Sequence, residues 1–172
     1  MRPAIQSDLD FFEYELTSRE GSGEFQWFGH TSMHQVRLEF VESGLLTRSR
    51  GTLVIVTDGA PVGRVEWFET RYGRPETSQC WTIAIGILPE KCGRGIGTAA
   101  QIALVRYLFA HTRAERIQAF TDVRNIAERT ALARAGFREE GVLRSAQWRD
   151  GAWHDQVLYA IIRSDERTMA YP

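Results

Sequence analysis

Lysine is all but missing from this chain: Lys91 stands alone among 21 basic residues, a bias that points to a GC-rich coding sequence rather than to a function. An excess of either charge is also missing. With 22 acidic residues and a net charge of −1, nothing here suits a nucleic acid or another polyanion as partner. The two cysteines, Cys80 and Cys92, are too few for a disulfide framework and do not form a metal-ligand pattern, so no metal is expected. No apolar run approaches the roughly 20 residues that a membrane span needs. The opening Met1-Arg2-Pro3-Ala4 lacks the apolar stretch of a signal peptide. These absences together lead us to expect a reduced, cytoplasmic setting with no membrane partner. There is also no repeat, linker or low-complexity tract, and one domain over residues 1–172 is expected.

What is present is enough for a core. The chain is 43% hydrophobic and 25% charged, with five Trp and nine Phe, most of which should pack inside. A short strand at Arg2–Ala4 leads to Ser7 or Asp8 as the N-cap of a helix through Leu9, Phe11, Phe12 and Leu16. The aromatic, Gly-punctuated stretch from Gly21 to Gly29 reads as a loop. Ser32 and Gln35 suggest a capping box for a second helix through Val36, Phe40 and Val41, stopped by Gly44. Two β-rich runs, Thr52–Thr57 and Val62–Thr70, meet at Asp58-Gly59, a strong hairpin signal. After a polar loop over Arg71–Gln79, an apolar strand is expected at Cys80–Ile87. A helix then starts at the glycine-rich segment Gly93–Gly97, followed by a strand at Arg116–Thr121 and a helix at Ile126–Ala135 ended by Gly136. Phe137–Arg149 and Ala152–Arg163 close the chain as a second hairpin, turning at Asp150-Gly151. A meander, one strand–helix–strand crossover, a helix and a hairpin predict an α/β fold with a mixed, mostly antiparallel sheet and helices on both faces.

Chemistry concentrates at Cys92-Gly93-Arg94-Gly95-Ile96-Gly97-Thr98. Glycines between a strand and a helix let the backbone approach a ligand closely. The first helical N–H groups there lack partners, and the helix dipole favours an anion. That combination makes a phosphate site, to which Arg94 can add a charge-assisted contact. Gly95 to Ala100 also satisfies the dinucleotide pattern G-x-G-x-x-G/A, with Asp122 about 20 residues on as a ribose-binding acid. An NAD-binding fold is nevertheless the weaker alternative. Leu88 to Cys92 intervene between strand and glycines, only one crossover exists, and the chain ends in a hairpin. No Gly-Lys-Ser/Thr is present, which excludes a P-loop.

Leu88-Pro89-Glu90-Lys91-Cys92-Gly93-Arg94-Gly95-Ile96-Gly97 resembles the coenzyme A signature of the GCN5-related N-acetyltransferases, Q/R-x-x-G-x-G/A. Asn125 followed by Ala131 to Phe137 is similar to that family's second motif, an Asn, a helix and Gly-Phe. The tail with Trp148-Arg149-Asp150-Gly151, Trp153 and Asp155 looks most like the ribosomal-protein (RimJ/RimL-type) branch. The likeness runs from about Leu53 to Ile162, and the opening third matches only loosely. The resemblance implies a GNAT fold split by a coenzyme A cleft and transfer of acetyl from acetyl-coenzyme A to an amine. The acceptor would be a small molecule or a peptide N-terminus, and a homodimer is compatible with the sequence.

By the same resemblance, backbone at Ile87 and Leu88 pairs with the pantetheine arm, and an N–H near Leu88 serves the thioester oxygen. Amides of Gly93, Arg94, Gly95, Ile96, Gly97 and Thr98 hold the diphosphate, and Asn125 bonds the pantetheine side. Cys92 takes a position usually held by Arg or Gln. The strand carboxylate of many relatives is absent from Cys80–Ile87, and their tyrosine proton donor falls at Leu132. A domain that binds acyl-coenzyme A without chemistry is therefore an alternative. Glu66, on the neighbouring strand, is the first candidate base, His154 the second, and Asp155 an orienting residue. Glu128 and Arg129 read as surface residues, with either able to face the cofactor. Phe25, Trp27 and Phe28 would form one wall of the acceptor cleft.

Overall fold

A computed structural model of the chain describes residues 1–166. Its strands are β1 (Arg2–Pro3), β2 (Arg50–Thr57), β3 (Ala60–Arg71), β4 (Gln79–Ile87), β5 (Arg116–Asp122), β6 (Arg138–Arg149) and β7 (Ala152–Ile162). They form one sheet in the order β1-β2-β3-β4-β5-β7-β6. Both Asp-Gly turns take the form expected of them. Asp58 and Gly59 have φ of 52° and 79°, Asp150 and Gly151 have 49° and 75°. Two successive positive φ values match the twist of the flanking strands and make tight hairpins of β2–β3 and β6–β7.

The helices are α1 (Leu9–Thr17), α2 (Arg19–Ser22), α3 (His34–Ser43), α4 (Pro75–Ser78), α5 (Ile96–His111), α6 (Ile126–Arg134) and α7 (Arg163–Glu166). α5 presents Ala100, Leu104, Val105, Leu108 and Phe109 along one side, and these pack with Val65, Trp67, Ile83 and Ile117 of the sheet into the main core. A smaller core on the opposite face joins Leu9 and Phe12 of α1 to Met33, Leu45 and Val54. Helices thus cover both faces, as expected. Among the described strands only β4 and β5 run parallel, joined through α5. A doubly wound nucleotide fold needs further parallel pairs, so the NAD-binding alternative falls.

Two local expectations are corrected. Asp8 does not cap α1 with its side chain. Its carboxylate accepts from Ile5 N–H at 2.8 Å and pairs with Arg2, tying β1 to the 3₁₀ turn before α1. Ser32 accepts from His34 N–H at 3.1 Å, but Gln35 reaches forward to Glu39 rather than back, so the capping box does not form. The polar loop after β3 also holds the single turn α4, begun by Pro75.

One glycine in the sheet is set by its neighbour. Gly51 faces Trp67 across the β2–β3 ladder, and a Cβ on Gly51 would overlap the buried indole. Gly51→Ala is expected to cost about 1–3 kcal/mol through this overpacking, read from the midpoint of urea unfolding.

Candidate active site

β4 pairs with β3 along its whole length, but with β5 only from Trp81↔Ile117 to Ile83↔Ala119. Beyond Ile83 the two strands part. In an antiparallel ladder alternate residues bond to a given neighbour, and Leu88 N–H is committed to Val62 O at 3.0 Å. Ile85 and Ile87 therefore turn their backbone groups into the gap. The carbonyl of Ile85 there accepts from Gln26 Nε2 at 3.5 Å. Of the two residues expected to pair with the pantetheine arm, Leu88 is corrected on this ground: its N–H belongs to the sheet and its side chain is buried, which leaves the expected donor near it to Ile87 or Ile85.

The gap opens into a cleft of about 590 Å³ lined by Ala84 to Ile87, the glycine turn, the starts of α5 and α6, and the loop from Ser22 to Gln26. A volume of this order suits an extended small molecule. Gly93 and Gly95 have φ of 75° and 76°, and the space a Cβ would take at either is open. The turn can thus present bare main chain to a ligand at the N-terminus of α5, whose first amides lack helical acceptors. Gly97 rests on Ile85 and Ile87, so the turn lies on the α5 face of β4. Arg94 is exposed on this turn. Cys92 directs its thiol at the carbonyls of Leu88 (3.6 Å) and Ile87 (3.8 Å). Partial desolvation of the thiol, with Glu90 and Glu128 nearby, pushes it above its ordinary range, which favours the protonated form even though the residue is exposed. Across the cleft, Asn125 caps α6 by accepting from Glu128 N–H at 3.2 Å. Backbone amides at the turn, free strand edges and two helix N-termini fit a diphosphate joined to an amide-bearing arm.

The other face of β4 carries carboxylates. Glu66 and Arg64 stand opposite Ala84 and Gly86. Arg64 donates to Glu66 at 3.0 Å and also pairs with Glu15 of α1. Gly86 has no side chain because Glu15 occupies its place: a Cβ there would collide with Glu15 Oε1. Burial raises the Glu15 carboxyl while Arg64 opposes the rise, and Glu15 Oε2 has no hydrogen-bond partner among the described residues. Of this trio, Glu66 is the member with substantial exposure. Glu15 was not legible as part of a site, since it lies on the buried stripe of an ordinary amphipathic helix.

The other expected residues are placed as follows. Phe25 lines the cleft, under the guanidinium of Arg149 at 5.2 Å. The chain turns at Glu24–Gln26 and carries Trp27 and Phe28 away from the cleft: Trp27 packs against His30, and Phe28 is half exposed. His154 has both ring nitrogens engaged. A carbonyl only accepts, so Nε2–H donates to Arg149 O at 3.0 Å; a guanidinium only donates, so Nδ1 accepts from Arg124 at 2.9 Å. No lone pair is left for an amine proton. Asp155 accepts from Ser145 N–H at 2.7 Å, holding a strand irregularity where Ser145 has φ of 49°. Neither His154 nor Asp155 lines the cleft. Leu132 is wholly buried in the main core.

A family model for the acetyltransferase (GNAT) domain matches residues 1–138. The chain belongs to the GNAT acetyltransferase family. The match takes in the opening third, whose motifs were the loosest. This acetyltransferase is 31% identical over 138 residues to the probable N-acetyltransferase YjcK of Bacillus subtilis (strain 168), covering 77% of its own chain and 69% of that protein. Its fold superposes on Mycobacterium smegmatis RimJ in complex with CoA-disulfide with a TM-score of 0.76 and 25% identity, over 95% of this chain and 81% of that one. It also superposes on the spermidine N-acetyltransferase of Vibrio cholerae in complex with CoA and spermine, with a TM-score of 0.79, 20% identity, and 97% and 96% coverage. The activity is therefore N-acetylation with acetyl-coenzyme A as donor.

At the far end of the acetyltransferase's gap, Asp122 and Arg149 form a buried pair at 2.5 Å. Burial alone would raise the Asp122 carboxyl. The Arg124 amide and the guanidiniums of Arg149 and Arg124 outweigh it and hold it at about 2. Because this pKa is depressed on folding, its stabilisation is complete above about pH 4 and lost as pH falls toward 2. Asp122→Asn leaves Arg149 buried without its counter-charge, and a loss of about 3–5 kcal/mol is expected by urea unfolding at pH 7. Between pH 4 and 2 the gap between wild type and variant should narrow.

Proposed function

We propose that this enzyme acetylates the primary amine of a small molecule with an apolar or planar part, working as a single cytoplasmic domain. One observation carries the reading. The gap between β4 and β5 has the glycine turn on one face of the sheet, while on the other the Glu15–Arg64–Glu66 group stands behind Ala84 and Gly86, which line the cleft. Donor and acceptor would then approach from opposite faces and meet beside Ala84–Ile87.

The donor brings an activated acetyl thioester. The chain's own part is to place and polarise it. Main-chain amides of Gly93 to Thr98 hold the diphosphate, and Ile85 and Ile87 offer backbone groups to the arm and to the thioester oxygen. Asn125 keeps its amide hydrogens for the arm, since its oxygen caps α6. On the acceptor face, an alkylamine with a pKa near 10.4 arrives mostly charged and must lose a proton before it can attack. Glu66 takes that proton, directly or through water. The nitrogen then attacks the thioester carbon, and the second proton it sheds as the C–S bond breaks neutralises the departing thiolate. Arg64, neutralised from behind by Glu15, holds the Glu66 side chain in place. Phe25, fixed by Arg149, gives the acceptor an apolar surface.

Within the family we place the protein beside the RimJ/RimL branch, on its tail of Trp148, Trp153 and Asp155 and its likeness to the mycobacterial RimJ. That likeness also supports a second acceptor, a peptide N-terminus. The cytoplasmic assignment is supported by two free cysteines and by the lack, among described residues, of any helix long and apolar enough to cross a membrane.

Thiol release from acetyl-coenzyme A, measured against polyamines, aromatic amines, aminoglycosides and short peptides, tests the reading. Turnover of a small amine is expected. Turnover of peptides alone would move the acceptor to protein N-termini, and binding of the donor without turnover of any amine would make the domain non-catalytic. With the best acceptor, Glu66→Gln should lower kcat by roughly 10²–10⁴-fold and leave donor affinity unchanged. An unaltered kcat would remove Glu66 as the base.

A further inference from the structure

Glu128 has figured so far only in lending its N–H to the cap of α6 and in raising the Cys92 thiol. Its carboxyl lines the donor cleft and accepts from Gln101 Nε2 of α5. No Lys, Arg or His among the described residues pairs with it. Gln101 is itself 1% exposed, and its Oε1 is buried with no hydrogen-bond donor among the described residues. An anionic Glu128 offers that oxygen nothing, whereas a neutral Glu128 brings an O–H into the same pocket.

The charges around Glu128 give it no relief. The turn across the cleft brings the thiol of Cys92, which Glu128 helps to keep protonated. Lys91 lines the cleft without pairing to Glu128, and Arg94 is exposed on the turn. On α6 itself, Arg134 lines the cleft a turn and a half further on. Arg129 points elsewhere, to Tyr159, Val123 and Glu139. From α5 only the uncharged Gln101 reaches it. Burial accordingly pushes the Glu128 carboxyl up to about 7, against the lowering effect of the Gln101 hydrogen bond. A diphosphate laid on the Gly93–Thr98 turn adds negative charge to the cleft that Glu128 lines, and a carboxylate there is further disfavoured.

We propose that Glu128 is a donor-site residue that must carry its proton when acetyl-coenzyme A binds, so that binding takes up a proton and weakens as pH rises. The inference rests on the donor-cleft reading above. It assigns the carboxyl a binding form rather than a step in acetyl transfer. Below about pH 7 Glu128 is already protonated and donor affinity is level. Above it, affinity falls by up to about tenfold per pH unit, because each binding event must first protonate the side chain.

Calorimetric titration of the whole chain with acetyl-coenzyme A, without acceptor, tests this. At pH 8 the phosphate monoester of the donor is fully ionised, its second pKa being about 6. Titration in two buffers of different ionisation enthalpy then counts the protons taken up. Wild type should take up a large fraction of one proton. Glu128→Gln, which keeps the bond from Gln101, should take up almost none, and its Kd should stay level from pH 7 to 9 while that of wild type rises. Glu128→Ser serves the same purpose if the first variant folds poorly, and the wild-type proton count decides without either. Binding by wild type with no proton uptake, or the same pH dependence in both proteins, overturns the inference. Failure of wild type to bind the donor at all overturns the donor-cleft reading and this inference with it.

Discussion

The parting of β4 from β5 after Ile83 is the constraint on which the site depends. Strand backbone that loses its neighbour must find other partners, because a buried N–H or C=O without one costs as much as a lost hydrogen bond. Here Ile85 meets only a long contact from the Gln26 side chain, and the rest of the free edge faces the cleft. Two helix N-termini, of α5 and α6, converge on the same opening. Each contributes unpaired amides and the positive end of a dipole. The cleft therefore gathers unmet backbone donors and acceptors, which an anionic, amide-bearing chain can satisfy. Acetyl-coenzyme A is such a molecule.

Two buried or half-buried arginines fasten the poorly patterned parts of the chain to this frame. Arg64 links α1 to β3 through Glu15 and Glu66, and Arg149 links the closing hairpin to β5 through Asp122 and to the front loop through Phe25. A buried ion pair seldom adds stability beyond what a well-packed apolar pair would. Its value here is positional: a guanidinium donates in several fixed directions and can hold three elements at once. The part of the opening near Phe25 and Ala84–Gly86 owes its shape to these two side chains. The part at the glycine turn owes its shape to the backbone.

That difference explains what was legible beforehand. The Asp-Gly hairpins, the single crossover, the α5 core stripe and the glycine turn all follow from local rules of conformation or period, and the structure bears them out. Where side chains had to be assigned partners, the reading was less secure. Ser32 begins a helix without its box because Gln35 has a nearer partner in Glu39. His154 has the residue type of a base, yet an arginine and a carbonyl already use both of its nitrogens. Asp155 looked like a site residue and serves a strand irregularity instead. Trp27 and Phe28 follow Phe25 in sequence, but one turn of the chain separates their surroundings.

By itself the sequence determined the order of the elements, the family likeness and the open glycine turn before α5, because each is set by residues close together along the chain whose backbone preferences are intrinsic. Only the tertiary structure decided that Glu15 stands under Gly86, that Leu88 N–H belongs to β3, and that Glu128 meets Gln101 inside the cleft. Those three facts join segments between 26 and 71 positions apart, as the numbering shows. Which buried polar group meets which is settled when the sheet and its covering helices close together, and no local pattern encodes it.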